Sequence, residues 1–446
     1  MLLLLLMDPA NLREVLLTAL PAEKVMNLAR ELGVVERESV IELDELVNAL
    51  VLSSRTPAGG RQADVLRAYA QATGVEPVRG TFYARFNAEL ESLLERLVRD
   101  SMQTALADPV LLPLSIRGVK DWLAIDSETV QLHPSLASVY PGTGDYAAVK
   151  VHKAYSLGRN NMVEFQFSPA RDHDSSWFHL SEAMRGFGLL MDLGYASHRR
   201  LMDCQQFGVA FVLKLKTGWK ARLTSVTEGE VAELFRGTDF AEALSFGQLS
   251  CQDGFIDADV ALNRGAYSLR LVAVETPEKK LCVFLTNLPR EHYSPAIVGD
   301  LYRLRWEIEK SNKLDKSDFS LADLSCRKVC SARTMLYASL LGSVIIGRLV
   351  HADHCTLAAT KGPLTRGPIH ARLLAMALAA MNASISTAIA DGAPPGPVWD
   401  TIARKLAHLS RDPNWRQRPS VFDVLHGFTA SRGRPRRQKT FKRTGN

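Results

Sequence analysis

Two apolar runs in this chain each end on an aspartate, and this pattern limits the fold more than any other. Trp122-Leu-Ala-Ile-Asp126 and Phe187-Gly-Leu-Leu-Met-Asp192 are short and almost wholly apolar up to the acid. The second is the pattern of a central strand covered on both faces. Between them, Tyr146–His152 and Met162–Phe167 alternate apolar and polar in part, and Gly142, Gly144 and Gly158 mark short turns. The first three strands are therefore most simply a meander of hairpins. Ser175–Arg185 reads as helix-like, Ser197–Phe207 as a helix and Val209–Lys216 as a further strand.

Three hairpin strands, helix, strand, helix, strand is the order of an RNase H-like mixed sheet, so the fold class is α/β (mixed). In that sheet the first and fourth strands are neighbours, and Asp126 and Asp192 emerge at one edge. Residues 109–216 and 289–350 then form the catalytic core. Residues 217–288, short β-prone pieces between turns, form a β-rich insertion domain. Residues 1–108 read as an N-terminal all-helical domain. Within it a helix ends at Gly74 and a second starts near Thr81, a helix–turn–helix cadence that places Arg79, Tyr83 and Arg85 where a DNA-reading helix makes its contacts. Residues 351–430 form a C-terminal helical region for dimerisation or DNA contact. Residues 331–350 are strongly apolar but carry Arg333 and Arg348, which favours a core helix over a membrane span.

The chain has 446 residues and a net charge of +6, unevenly spread. Residues 401–446 carry twelve Lys/Arg against two Asp, concentrated in the basic tail 431–446, a disordered end suited to a polyanion. Residues 1–100 are net acidic, so DNA contact there requires one face rather than overall charge. Six scattered cysteines without a CxxC pair fit reduced thiols and a cytoplasmic, nucleoid-associated setting. His351-Ala-Asp-His354-Cys355 has no second ligand cluster and reads as a helix end. The opening MLLLLLM is too short to span a bilayer.

A third acid comes from Leu301–Lys316, a stretch with no Pro or Gly that reads as one helix, with Ser294-Pro295 upstream as a capped start. Stepping about 100° per residue from Tyr302 puts Arg305 at about −60°, Glu309 at about −20° and Lys316 at about −40°, while Glu307 points away at about 140°. Packed across the strand ends, this helix directs Glu309 at Asp126 and Asp192. Three converging carboxylates are costly unless a cation neutralises them. All-oxygen ligands suit Mg²⁺, with Mn²⁺ as a substitute, and two such ions stabilise an in-line phosphoryl transfer. Glu128, Asp172 and Asp174 are weaker candidates for the second acid or for substitution at the first. Asp121 and Asp203 read as surface groups.

The run Tyr302-x2-Arg305-x3-Glu309-x6-Lys316 resembles the signature of bacterial insertion-sequence DDE transposases of the YREK group, the insertion-sequence-four family. Asp126-Ser-Glu-Thr is similar to that family's first acid, Asp192-x-Gly194-Tyr195 to its second, and Leu285-Thr-Asn-Leu288 is also typical. The long gap between Asp192 and Glu309 matches the family's β-strand insertion. The resemblance implies that Asp126, Asp192 and Glu309 are the catalytic, metal-binding triad. Tyr302, Arg305 and Lys316 would hold the DNA backbone near the transposon end. Lys150, Lys214 and Lys216, with Lys153, Arg199 and Arg200, are further basic candidates for DNA contact. It also implies a cut-and-paste reaction on terminal inverted repeats, double-stranded DNA as partner, and a homodimer in the synaptic complex. Several members pass through a hairpin in which an aromatic stacks on a flipped base; Trp219, Phe246, Phe255 and Tyr267 are the candidates here. The competing readings are a DNA-binding regulator that has lost cutting, and an RNase H-like nuclease that does not join strands.

Overall fold

Strand composition between residues 122 and 214 becomes half of a large mixed sheet. The computed structural model describes residues 7–34, 41–52, 62–231, 237–318, 324–360, 364 and 366–428. The tail 431–446 and the first six residues lie outside them. The chain begins with α1 (Pro9–Ala19), α2 (Ala22–Glu31), α3 (Leu43–Leu52), α4 (Gln62–Thr73), α5 (Arg79–Ala84) and α6 (Ala88–Ala107). Next come β1 (Trp122–Leu132), β2 (Ala147–Ser156), β3 (Asn161–Pro169), β4 (Gly188–Met191), α7 (His198–Gln206) and β5 (Ala210–Lys214). The following segment holds β6 (Arg222–Glu228), β7 (Glu230–Val231), α8 (Phe240–Ser245), β8 (Leu249–Ser250), β9 (Phe255–Leu262), β10 (Tyr267–Glu275) and β11 (Leu281–Thr286). Helices close the chain: α9 (Pro295–Arg303), α10 (Trp306–Asp318), α11 (Val329–Ala359), α12 (Ala371–Ala380), α13 (Asn382–Ala390), α14 (Pro397–Ser410) and α15 (Val421–Leu425).

Nine strands pair in the order β3-β2-β1-β4-β5-β11-β10-β9-β6. β3, β2 and β1 are antiparallel, whereas β1, β4 and β5 run parallel, which is the RNase H-like arrangement. Residues 217–288 are rich in strands, and the longer ones continue the same sheet through an antiparallel β5–β11 pairing; among the described residues, only β7 and β8 form a separate small ladder.

Period-2 alternation sorts the two faces. Ile125, Leu189, Met191, Phe211 and Leu213 pack on one side with Leu201 and Cys204 of α7. Trp122, Ala124, Leu190 and Val212 pack on the other with Val298, Leu301, Leu304 and Ile308 of the α9–α10 segment. The same parity assigns Asp126 and Asp192 to the α9–α10 side, each one residue past the last β1–β4 rung, Ile125↔Met191. The apolar helix α11 is a core element, as its arginines suggested. Arg348 pairs with Asp108 at 3.0 Å, and the helix shares one hydrophobic cluster with residues of α1, α3, α6, α12 and α14. Helices from both ends of the chain thus make one helical body.

Several local expectations are corrected. Ser175–Arg185 is not a helix but two isolated 3₁₀ turns. Trp177 and Phe178 are buried between them, and their carbonyls accept hydrogen bonds from Arg200 Nη2, both at 3.1 Å, instead of continuing a helix. The second helix of the helix–turn–helix cadence is only the six-residue α5, because Asn87 caps a new helix at Leu90 N. The stretch 301–316 is broken at Leu304–Arg305. There Arg305 N donates to Tyr302 O and Glu307 N to Leu304 O, three residues back rather than four.

Gly188 faces the Trp122 ring across the β1–β4 pairing, where an added Cβ would lie 2.4 Å from a ring carbon. Gly188→Ala should cost about 1–3 kcal/mol in urea unfolding through overpacking. Burial also holds His152 and His426 neutral, each pushed down to about 4, and His354 to about 3. The unfolded chain takes up these protons below about pH 6.5 while the fold does not, so stability falls as pH drops through that value. The melting temperature should fall between pH 7 and 5, and the fall should be shallower in His354→Phe.

Candidate active site

Asp126 and Asp192 leave adjacent parallel strands on the face that α10 crosses, and Glu309 sits in the first turn of α10. Asp126 lies within the electrostatic reach of the other two carboxylates. Burial, followed by the charges of Asp192 and Glu309, raises the pKa of Asp126, against a backbone hydrogen bond at Ser127 and the charge of Arg305. Arg305 is held as a cation: burial opposes its charge, but Tyr302, Glu309, Asp192 and Asp126 favour it. Its guanidinium donates to Glu309 Oε1 and lies 5.6 Å from the centre of the Tyr302 ring. Tyr302 in turn packs on Phe284 of β11 at 4.8 Å, and burial raises its pKa. The structure therefore brings together Asp126, Asp192, Tyr302, Arg305 and Glu309. Lys316 lies on α10, but its side chain is outside the described residues.

One layer beneath these acids is a group the sequence reading misassigned. Lys153 pairs with Asp126 across β1–β2 and projects to the same face, but it is only 1% exposed and is no DNA contact. Its ammonium donates to Glu128 Oε1 at 2.5 Å, to Asn312 Oδ1 at 3.1 Å and to Asp315 Oδ2. Burial works against the charge, yet the Asp315 and Glu128 carboxylates outweigh it and raise its pKa. Glu128 is thereby committed to Lys153. Asn312 Nδ2 donates at 2.9 Å to Asp126 Oδ2.

Other candidates fall into two groups. Lys150 is mostly buried, pairing with Asp174 at 2.9 Å and donating to Asp172 O at 2.6 Å; Asp174 also accepts from Ser127. Arg200 is buried, and Asp121, expected at the surface, is 1% exposed and bonded to Arg159, Ser156 and Gly158 N. By contrast Lys214, Lys216, Arg199 and Arg79 are exposed, and Tyr83 and Arg85 are half-buried beside Arg79. Among the aromatics, Trp219 is stacked on His198 at 4.2 Å and Tyr267 is hydrogen-bonded to His198 at 2.7 Å. Phe255 is half-buried and Phe246 is 73% exposed. Trp306 escaped the sequence reading: it begins α10 next to Arg305 and is 63% exposed. A lone aromatic between charged residues was the available signal.

Among the described residues no group of three or more His, Cys, Asp or Glu side chains is gathered closely enough to hold a metal ion as it stands. That includes His351–Cys355, where His351 bonds to Pro109 O and Asp353 to Arg411. Around Asp126 the donor set is nonetheless all carboxylate oxygen, which fits a hard divalent cation.

A five-strand RNase H-like core with acids one residue past a parallel rung and a third on the crossing helix is the arrangement of enzymes that act on nucleic-acid phosphodiesters. Residues 117–345 match the family described as Transposase DDE domain, more than half of the chain. The chain belongs to that family and is a DDE-type insertion-sequence transposase. It is 24% identical over 341 residues to the transposase for insertion sequence element IS231E of Bacillus thuringiensis subsp. finitimus, covering 67% of this chain and 70% of that one. It is also 24% identical over 289 residues to the putative transposase InsL for insertion sequence element IS186A of Escherichia coli strain K12, covering 55% and 76%. The piggyBac transposase synaptic complex with hairpin DNA aligns with a TM-score of 0.45 at 11% identity, covering 89% of this chain and 85% of that one.

Lys153→Met would leave two buried carboxylates without their counter-ion and should destabilise the fold by about 3–5 kcal/mol in thermal or chemical denaturation.

Proposed function

We infer that the protein binds the terminal inverted repeats of its insertion sequence, cuts the DNA there and joins the freed 3′ ends to target DNA by a cut-and-paste route. The observation that carries this reading is the placement of Asp126 and Asp192 one residue past a parallel rung, on the face crossed by the helix whose Glu309 accepts from Arg305. The three acids would hold divalent cations, Mg²⁺ with Mn²⁺ as substitute, which supply charge neutralisation to the attacking and leaving oxygens. In the first step a water oxygen attacks the scissile phosphorus and the 3′ oxygen leaves. In the second that 3′-OH attacks a target phosphorus, and the target strand's own 3′ oxygen leaves.

Arg305 is the natural phosphate clamp. It is planar, permanently charged and backed by Tyr302, and its buried Nε has no hydrogen-bond partner among the described residues. Lys316, on the same helix, is the second basic residue of the signature and a further candidate for a backbone phosphate. Exposed Lys214 and Lys216 suit DNA beyond the site, whereas Lys150, tied to Asp174, does not offer a free ammonium. Trp306 is a further aromatic platform for a base at the cut, a contact of about 1–3 kcal/mol. Residues 1–108, through Arg79, Tyr83 and Arg85 at α5, read the element ends. Pairing two ends calls for a homodimer on DNA.

Glu309→Gln should retain binding to the terminal repeats in a mobility-shift assay but lower cleavage and joining by roughly a hundredfold or more. Wild-type activity in that variant would sink the assignment. Wild-type protein that binds the ends yet never cuts them in Mg²⁺ or Mn²⁺ would instead identify a silent regulator, and cut but unjoined products a nuclease.

A further inference from the structure

The buried cluster beneath the acids does more than fill space. An ammonium only donates hydrogen bonds, so the Asn312 side-chain oxygen must face Lys153. The Asn312 NH₂ is then forced toward Asp126, where it donates to Oδ2 at 2.9 Å. Lys153 is itself fixed by Glu128 of β1 and Asp315 of α10, and Ser343 of α11 donates to the other oxygen of Asp315. Asn312 is nearly inaccessible and lies one turn after Glu309 on the same helix.

The geometry points to Asn312 as a positioning residue that fixes the rotamer of Asp126 and locks it to the helix carrying Glu309. The inference rests on the active-site reading above. The amide holds one oxygen of Asp126, Oδ2, and so sets the rotation of the whole carboxylate about its Cβ–Cγ bond. The tie also joins two of the three acids directly: strand β1 and helix α10 cannot shift relative to each other without breaking the Asn312 bonds. Lys153 sets the direction of the amide and therefore the polarity of the contact. A flipped amide would not serve, because only one orientation satisfies both the donor below and the acceptor above.

The test uses two variants of the full-length protein. Asn312→Ala removes both bonds. Asn312→Asp is nearly isosteric and still accepts from Lys153, but it presents a carboxylate oxygen to Asp126 in place of a donor. A purely structural role predicts that any loss of cleavage follows a lowered melting temperature and is restored at a temperature where the variant is fully folded. A positioning role predicts that both variants fail alike. Single-turnover cleavage of the element's terminal DNA at saturating DNA should fall about 10–100-fold in both. The half-saturating Mn²⁺ concentration, followed by electron paramagnetic resonance of free Mn²⁺ without turnover, should rise about tenfold. Asn312→Ala leaves the buried Lys153 short of one acceptor and lowers the melting temperature, so all measurements are made where both variants are fully folded; there, terminal-repeat affinity without metal should stay close to wild type. Cleavage and Mn²⁺ affinity within twofold of wild type in Asn312→Asp would overturn the proposal, as would losses that vanish once the variants are fully folded. Glu309→Gln, run in parallel, separates the two claims: if it also cleaves, the active-site reading fails and not merely the role of Asn312.

Discussion

The arrangement of this protein depends on one buried charge. Lys153 is a full ammonium inside the molecule, and the isolated ion would cost several kcal/mol to place there. It is tolerated because Glu128 comes from β1, Asp315 from α10, and Asn312 fills the remaining donor direction. None of these partners is complete until the helix lies on the sheet. Such a cluster adds little net stability compared with an apolar core of the same volume, but it discriminates strongly among arrangements. A one-residue slip of β1 against β2 would send Glu128 or Lys153 to the opposite face and strand the other. The register that avoids this also lays Asp126 beside the carboxylates of Asp192 and Glu309.

The acids were legible in the sequence because their signal is local. Each aspartate closes an apolar run, and strand adjacency follows from element order. The helical angles placed Arg305 and Glu309 on one stripe, and the two side chains are in contact. What escaped was governed by layers. In Ala147–Ser156 the polar residues Lys150, His152 and Lys153 suggested a solvated face, but helices cover this part of the sheet and nearly every position of β2 is buried. Asp121 escaped in the same way, since its partners Ser156, Gly158 and Arg159 lie across a turn. The break at Leu304–Arg305 has no Pro or Gly to announce it. It arises where Leu301, Leu304 and Ile308 all stay in the core while the chain changes its hydrogen-bond step.

Domain borders show a similar contrast between chain order and space. Asp108-Pro109 marks a change of texture in the sequence, yet Asp108 is paired with Arg348 of α11 and Pro109 O accepts from His351. The helix that follows the active-site segment is thus fastened to the end of α6. Residues 217–288, inserted between β5 and α9, widen the sheet by hydrogen bonding β11 to β5. The last strand before the signature helix is therefore an inner strand of the enlarged sheet. Phe284 on that strand supports Tyr302, so the widened sheet helps to hold the Tyr302–Arg305 pair in place.

Arg305 ties these layers together. The charges of Asp192 and Glu309 both act on Asp126, and the charge of Arg305, whose guanidinium donates to Glu309, acts against them. The same guanidinium lies over the Tyr302 ring, and that ring rests on Phe284 of β11. The pair of Arg305 and Glu309 has the i, i+4 spacing of ordinary helix stabilisation, but it spans the break in the helix step and is partly withdrawn from water. Its orientation therefore depends on the sheet below it as much as on the helix that carries it.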